Sequence, residues 1–265
     1  IGIIVVYSNT CIYLEAIMED LLKVKGKNFV IMGVANQRSL AWGVAKSLEQ
    51  AGANLIFTYR KDRSKDRLEK LLEDNEMTSK YTVQCDVNED ESIQQAFEKI
   101  GNEIGTIHGL VHSVAFANPA DLRDDFINTS RDGFAFAADS SAYSLVAVAK
   151  AVHPLMTEGG SIVTMSYLVA QRVLDGYNVM GVAKAALESS MKYLANDLGK
   201  DNIRVNAISA GAVRTLSAKG VPSFNKILHK IEETAPLRRN ITQEEVSKMT
   251  LAVLSDLSSG VTGEV

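Results

Sequence analysis

Phe29-Val30-Ile31-Met32-Gly33-Val34-Ala35-Asn36-Gln37-Arg38-Ser39-Leu40-Ala41-Trp42-Gly43 is the stretch that decides the fold. An apolar run of strand length breaks at a glycine, crosses a short polar loop, and resumes at a serine suited to cap a helix. A buried strand feeding a helix N-terminus through a glycine turn is half of a βαβ unit. Free N–H groups at such a helix end form an anion site, and a dinucleotide diphosphate needs that kind of close backbone approach. Gly33 supplies the tight turn, Ser39 a cap and a hydroxyl, and Gly43 close packing of helix on strand. The spacing is not G-x-G-x-x-G, and an ordinary turn reads the same way in isolation.

Outward from this point the same alternation continues. Strand-length apolar runs recur at Leu55–Thr58, Tyr81–Val83, Leu110–Ala115, Ser161–Met165 and Val205–Ser209. Stretches of helical period lie between and after them at Leu40–Glu49, Arg67–Glu73, Ser92–Ile100, Tyr143–Met156, Val179–Leu198 and Glu244–Leu254. This order predicts an α/β doubly wound parallel sheet of Rossmann type, with ligands outside the carboxyl ends of the strands. Only four prolines occur, with no low-complexity linker, so a single domain is expected over residues 24–265.

The strand ends carry the chemistry. Arg60-Lys61 follows the second strand, where an acidic residue holds a ribose 2′-hydroxyl and cations hold a 2′-phosphate; the pair selects NADPH, with NADH possible. It reads equally as a polar loop opening a helix. Asp86-Val87, after the third strand, suits an adenine or caps the next helix. Beyond the fifth strand come Tyr167 and, ten residues on, Tyr177 with Lys184. Seven residues make about 700° of helical rotation and about 10 Å of rise, which puts Tyr177 and Lys184 on one face. An ammonium there lowers a phenol's pKa, and the phenol can give a hydrogen bond or proton to an oxygen that turns anionic as hydride arrives. After the sixth strand, Val213-Arg214-Thr215-Leu216-Ser217 forms a hydroxyl-rich loop for the nicotinamide end and the diphosphate. Val221 to Phe224 and the amphipathic stretch Ile227 to Ile231 then suit a mobile lid over an apolar substrate, and read equally as a surface loop with a packed helix.

Composition removes other classes. A net charge of −4 leaves no cation excess for nucleic acid. Cys11 and Cys85 are far apart, without metal spacing, which suits a reduced cytoplasmic protein. The apolar run Ile1–Val6 is too short to span a bilayer and lacks the basic flank of a signal peptide.

With these residues in place, the chain resembles the enoyl-acyl-carrier-protein reductases, divergent short-chain reductases of bacterial fatty-acid synthesis, from about Val24 to Glu264. The stretches that carry the resemblance are Gly33 to Ser39, Gly105 to Gly109, Ser113 to Asn118, Tyr177 to Lys184, Ile203 to Ala210 and Arg214 to Gly220. Tyr-x6-Lys with a second tyrosine ten residues upstream is specific to that family. The resemblance implies that Gly33, Ser39 and Leu40 face the diphosphate, that Arg60, Lys61, Asp62, Arg63 and Ser64 surround the 2′-phosphate, and that Asp86 and Val87 meet the adenine. It places Val114 at the ribose, Lys184 at the nicotinamide ribose and Val213 to Ser217 at the nicotinamide. Tyr177 hydrogen-bonds the thioester carbonyl, while Tyr167, Ala117, Met180 and Phe224 line the substrate side. It further implies acyl carrier protein as partner and a homotetramer.

The chain departs from that family at Val169-Ala170, where two glycines are usual; the added side chains are expected to crowd the nicotinamide. Ala212 stands for a proline. Residues 1–23 have no counterpart, and the family's last strand is missing after Glu264. A strand at Ile1–Tyr7 and a helix at Tyr13–Leu22 suggest a permuted replacement for that strand beside the sixth. Two other readings stay open: a carbonyl (3-oxoacyl) reductase of the same fold, against which the missing Tyr-x3-Lys argues, and a dinucleotide-binding protein without turnover.

Overall fold

The computed structural model describes residues 21–77, 79–216, 218 and 224–265, and of residues 79 and 80 the backbone only. Six parallel strands form one sheet: β1 (Asn28–Met32), β2 (Asn54–Tyr59), β3 (Ser79–Gln84), β4 (Gly109–His112), β5 (Gly160–Ser166) and β6 (Ile203–Ser209), in the order β3-β2-β1-β4-β5-β6. The order reverses between β1 and β4, and that switch point opens a crevice at the strands' carboxyl ends.

Strand alternation sorts β1 between two cores. Phe29 and Ile31 point to one face, packed with Trp42, Leu48, Phe57 and Leu254; Val30 and Met32 point to the other, with Phe97, Leu145, Leu187 and Met191. On the first face lie α1 (Leu40–Gln50), α2 (Asp62–Asp74) and α9 (Gln243–Leu254). On the second lie α3 (Asp90–Glu103), α6 (Ser144–Val152) and α7 (Asn178–Leu198). Two short helices, α4 (Pro119–Arg123) and α5 (Arg131–Ala138), approach the beginning of α7, and α8 (Phe224–Thr234) follows the loop after β6.

The alternation of strands and helices matches the sequence reading, with local corrections. β4 ends at His112 rather than Ala115, since the chain leaves the sheet at Ser113 to pass Gly33. The helix expected to begin at Tyr143 is the end of a longer run that starts at Arg131 and widens into a π-helical turn at Asp139–Tyr143. Gly43 serves helix-on-helix packing, because a Cβ there would fall 2.3 Å from Ser247 Oγ and 2.8 Å from Gln243 Cγ of α9.

The permuted strand at Ile1–Tyr7 lies outside the described residues. Part of the β6 edge it was to cover is paired by the chain's other end: Gly263 N–H donates to Val205 O, and Ala207 N–H donates to Glu264 O, at 2.8 and 2.9 Å. No helix among the described residues is long and apolar enough to cross a membrane.

Candidate active site

At the switch point Gly33 has φ +91, and a Cβ on it would lie 2.0 Å from Ser113 O. Only glycine allows β1 and β4 to leave the sheet this close together. Ser39 occupies the N-cap position of α1, but its oxygen accepts from the loop amides of Ala35 and Asn36, at 3.0 and 3.1 Å, rather than from its own helix. It therefore shapes the loop. The N–H groups of Leu40 and Ala41 find no acceptor among the described residues, as expected where a helix end awaits an anion. A glycine cradle and open amides at a helix N-terminus fit a dinucleotide diphosphate.

Along the crevice, Arg60 Nε meets Asp86 Oδ2 at 2.6 Å. The arginine is half exposed and its two terminal nitrogens make no other hydrogen bond among the described residues; the carboxylate is buried. The alternative expectation that Asp86 caps the next helix is not met, since Glu89 holds the N-cap position of α3; the other Asp86 oxygen accepts from Asn88 N–H at 3.2 Å and shapes the turn before it. Lys61, Asp62 and Arg63 are exposed at the start of α2, whereas the Ser64 hydroxyl is engaged by the Lys61 backbone, accepting at 2.9 Å and donating at 2.6 Å. Val87 and Val114 are half-buried against one core. Cys85 is buried and its thiol is pushed up to about 12 by burial, with the Asp86 charge adding, so it is inert.

At the other end stand two tyrosines, with ring centroids 5.1 Å apart and planes tilted by 40°. Tyr167 follows β5 directly. Tyr177 caps α7, and Asn178 turns the chain there with φ +37 while its side-chain amide donates to Asp124 O. Rotation counted along a regular helix thus starts one residue too early. Burial pushes both phenols up, and contact with Tyr167 raises Tyr177 further. This corrects the expectation of a lowered phenol: Lys184 is not among the groups acting on either ring. Lys184 instead donates from Nζ to Met165 O at 2.6 Å, and its burial brings the ammonium down to about 8.

Apolar walls flank the pair. Ala117 and Met180 pack with Leu122, Ala137 and Val179; Phe224 packs with Tyr177, Ala212, Ala218 and Leu228. After β6, Val213 and Thr215 are half-buried, Arg214 holds Asn225 at 3.1 Å, and Leu216 is exposed. Ser217 lies outside the described residues. Val169 and Ala170 form a single 3-10 turn, and neither has a positive φ. Val169 is buried beside Gly181 of α7, where an added Cβ would fall 3.1 Å from the Val169 carbonyl oxygen.

Three polar groups escaped the sequence reading. His112, wholly buried at the end of β4, has Nδ1 3.0 Å from Thr164 Oγ1 and Nε2 3.0 Å from Ser144 Oγ. Burial pulls it down to about 3, with the Lys184 charge adding, so the ring is neutral. Ser166 Oγ donates to Glu188 Oε1 at 2.5 Å. The one available signal was the spacing of Glu188, four residues after Lys184 on the same helix.

Fold and site together define a dinucleotide-dependent reductase of the short-chain class. A family model described as enoyl-(acyl carrier protein) reductase matches residues 33–265. The enoyl-acyl-carrier-protein reductase FabI of Bacillus cereus, designated NADH, is 57% identical over 91% of this chain and 94% of its own. That of Staphylococcus aureus strain MRSA252, designated NADPH, is 58% identical over 92% and 95%. The solved Bacillus cereus enzyme, in complex with NADP+ and indole naphthyridinone, superposes with a TM-score of 0.89 at 57% identity, over 91% of this chain and 94% of that one. The chain belongs to the enoyl-acyl-carrier-protein reductases and is an NAD(P)H-dependent oxidoreductase.

Proposed function

We propose that this reductase prefers NADPH to NADH, reduces the 2,3 double bond of trans-2-enoyl groups carried on acyl carrier protein, and works as a homotetramer in the cytoplasm. Relatives of nearly equal identity carry opposite cofactor designations, so the choice rests on this chain's own residues. The observation that carries it is Arg60. Held through Nε by buried Asp86, the guanidinium is fixed in place while its terminal nitrogens remain open for a 2′-phosphate.

The cofactor, when bound, supplies a hydride to the substrate's β-carbon. The amides of Leu40 and Ala41 take the diphosphate, and Lys184 takes the nicotinamide ribose. Tyr177, kept protonated by its burial, donates a hydrogen bond to the thioester oxygen as that oxygen gains charge. Ala117, Met180, Tyr167 and Phe224 offer the acyl chain an apolar wall.

Arg60→Ala with Lys61→Ala is expected to weaken NADPH alone by about 2–4 kcal/mol; equal loss for NADH would remove the 2′-phosphate role. Tyr177→Phe should lower turnover on a crotonyl thioester with little change in NADPH affinity. Unaltered turnover would assign the proton chemistry to Tyr167 or water.

A further inference from the structure

The two buried charged groups of α7 tie down the last two residues of β5. Lys184 binds Met165 O, and Glu188 accepts from Ser166 Oγ, the residue immediately before Tyr167. Four residues apart, the two side chains lie one above the other on one helix face, and both are buried. An ammonium taken out of water alone gives up its proton; a carboxylate beside it holds the proton on.

Glu188 supplies the one charge found to raise Lys184. The other polar groups around this face are neutral or engaged elsewhere. His112 on β4 is uncharged, as are Tyr167 and Tyr177. Asp139 in the π-helical turn accepts from Asn88, Asp121 on α4 from Asn118, and Arg204 on β6 binds carbonyls at the end of α9. Arg123, Arg131, Asp132, Tyr143 and Lys150 are exposed.

We propose that Glu188 is a positioning residue for the reaction: one helical turn beyond Lys184 it sets a buried carboxylate on the same helix face, and its bond to Ser166 fixes the backbone from which Tyr167 projects. The inference rests on the reading of Lys184 as a ligand of the cofactor ribose.

Its test is NADPH affinity, read by cofactor fluorescence across pH, beside the pH profile of kcat/KM. In the unmodified protein, affinity falls as pH rises through about 8, where Lys184 loses its proton. Glu188→Gln, which keeps the shape and an acceptor for Ser166, is expected to move that midpoint down by about 1–3 pH units in both readouts. Ser166→Ala, which keeps the charge, is expected to leave the midpoint in place.

An unmoved midpoint in Glu188→Gln overturns the proposal. So does a Ser166→Ala shift as large as that of Glu188→Gln, because the hydrogen bond rather than the charge would then be responsible. The absence of any alkaline loss in the unmodified protein would instead remove Lys184 as a cofactor ligand, which is the underlying reading. If Glu188→Gln does not fold, the double variant with Lys184→Met is expected to fold, since it leaves no lone buried charge. A double variant that also fails to fold makes Glu188 purely structural and sinks the idea.

Discussion

The two ends of the crevice are built on opposite principles. The diphosphate end consists of backbone and space: a glycine with no room for a methyl group, two open amides, and an exposed arginine steadied by one carboxylate. The reducing end consists of titratable side chains withdrawn from water: Tyr167, Tyr177, Lys184, Glu188 and His112. At the first end the fold contributes shape; at the second it contributes a low dielectric, which moves proton affinities by whole units. Substitutions should therefore act sterically at one end and with pH at the other.

The largest effect expected is steric. Gly33→Ala puts a Cβ 2.0 Å from Ser113 O at a φ that side chains avoid. Backbone must then move at the sheet's switch point, so the variant should lose more than about 3 kcal/mol of stability, or fail to fold, with no pH dependence in the loss. A variant with near-normal thermal stability and NADPH affinity would break the steric account of this end.

His112 provides the matching test at the other end. Its folded-state pKa of about 3 lies below the usual 6.5, so the unfolded chain binds the extra proton first. Stability from the neutral ring is full above about pH 6.5 and is lost progressively as pH falls toward 3, on the order of 5 kcal/mol in all. His112→Leu should flatten that acid slope in urea titrations. The hydroxyls it abandons keep backbone acceptors, since Thr164 Oγ1 also reaches His112 O at 3.2 Å and Ser144 Oγ reaches Ser140 O at 2.9 Å. An unchanged acid slope would place the sensitivity elsewhere.

The same contrast explains what could be read from the sequence. Gly33, Ser39 and Arg60 sit in short contiguous stretches whose meaning depends on neighbours a few positions away, and the doubly wound parallel sheet followed from the alternation of strand and helix patterns around them. At the reducing end the residue types stood out, but their protonation did not. The phenols are raised because chain segments from β5 to α8 exclude water around them, and His112 reaches the site from a strand more than fifty residues before Tyr167. Gly43 was misassigned for the same reason: its partner in α9 is some two hundred residues away in the chain.

Lys184 works against stability. Its pKa drops from 10.5 to about 8, so between those values the unfolded chain holds more protons and stability rises with pH. Below about pH 8 the fold carries the cost of the buried charge, about 3 kcal/mol by the size of the shift. Removing both buried charges, Lys184→Met with Glu188→Gln, should accordingly raise the melting temperature near neutral pH while weakening NADPH binding, a gain in stability at the expense of function. A lower melting temperature would mean that the bond to Met165 O outweighs the cost of burial.

The smallest effect is expected where the two ends meet, in the turn after Tyr167. Val169 and Ala170 are the positions expected to crowd the nicotinamide; both lie in a 3-10 turn without a positive φ, and Val169 is buried beside Gly181 of α7. Nothing in that geometry requires glycine. Ala170→Gly should cost about 0.5–1 kcal/mol through the added freedom of the unfolded chain. It should leave kcat/KM for the enoyl thioester within about twofold, under about 0.5 kcal/mol in transition-state terms. Thermal unfolding and steady-state NADPH oxidation on the same preparation measure both quantities. If the methyl group does intrude on the cofactor, removing it should increase turnover severalfold despite the loss of stability, and the boundary between the steric and the electrostatic end would then pass through this turn.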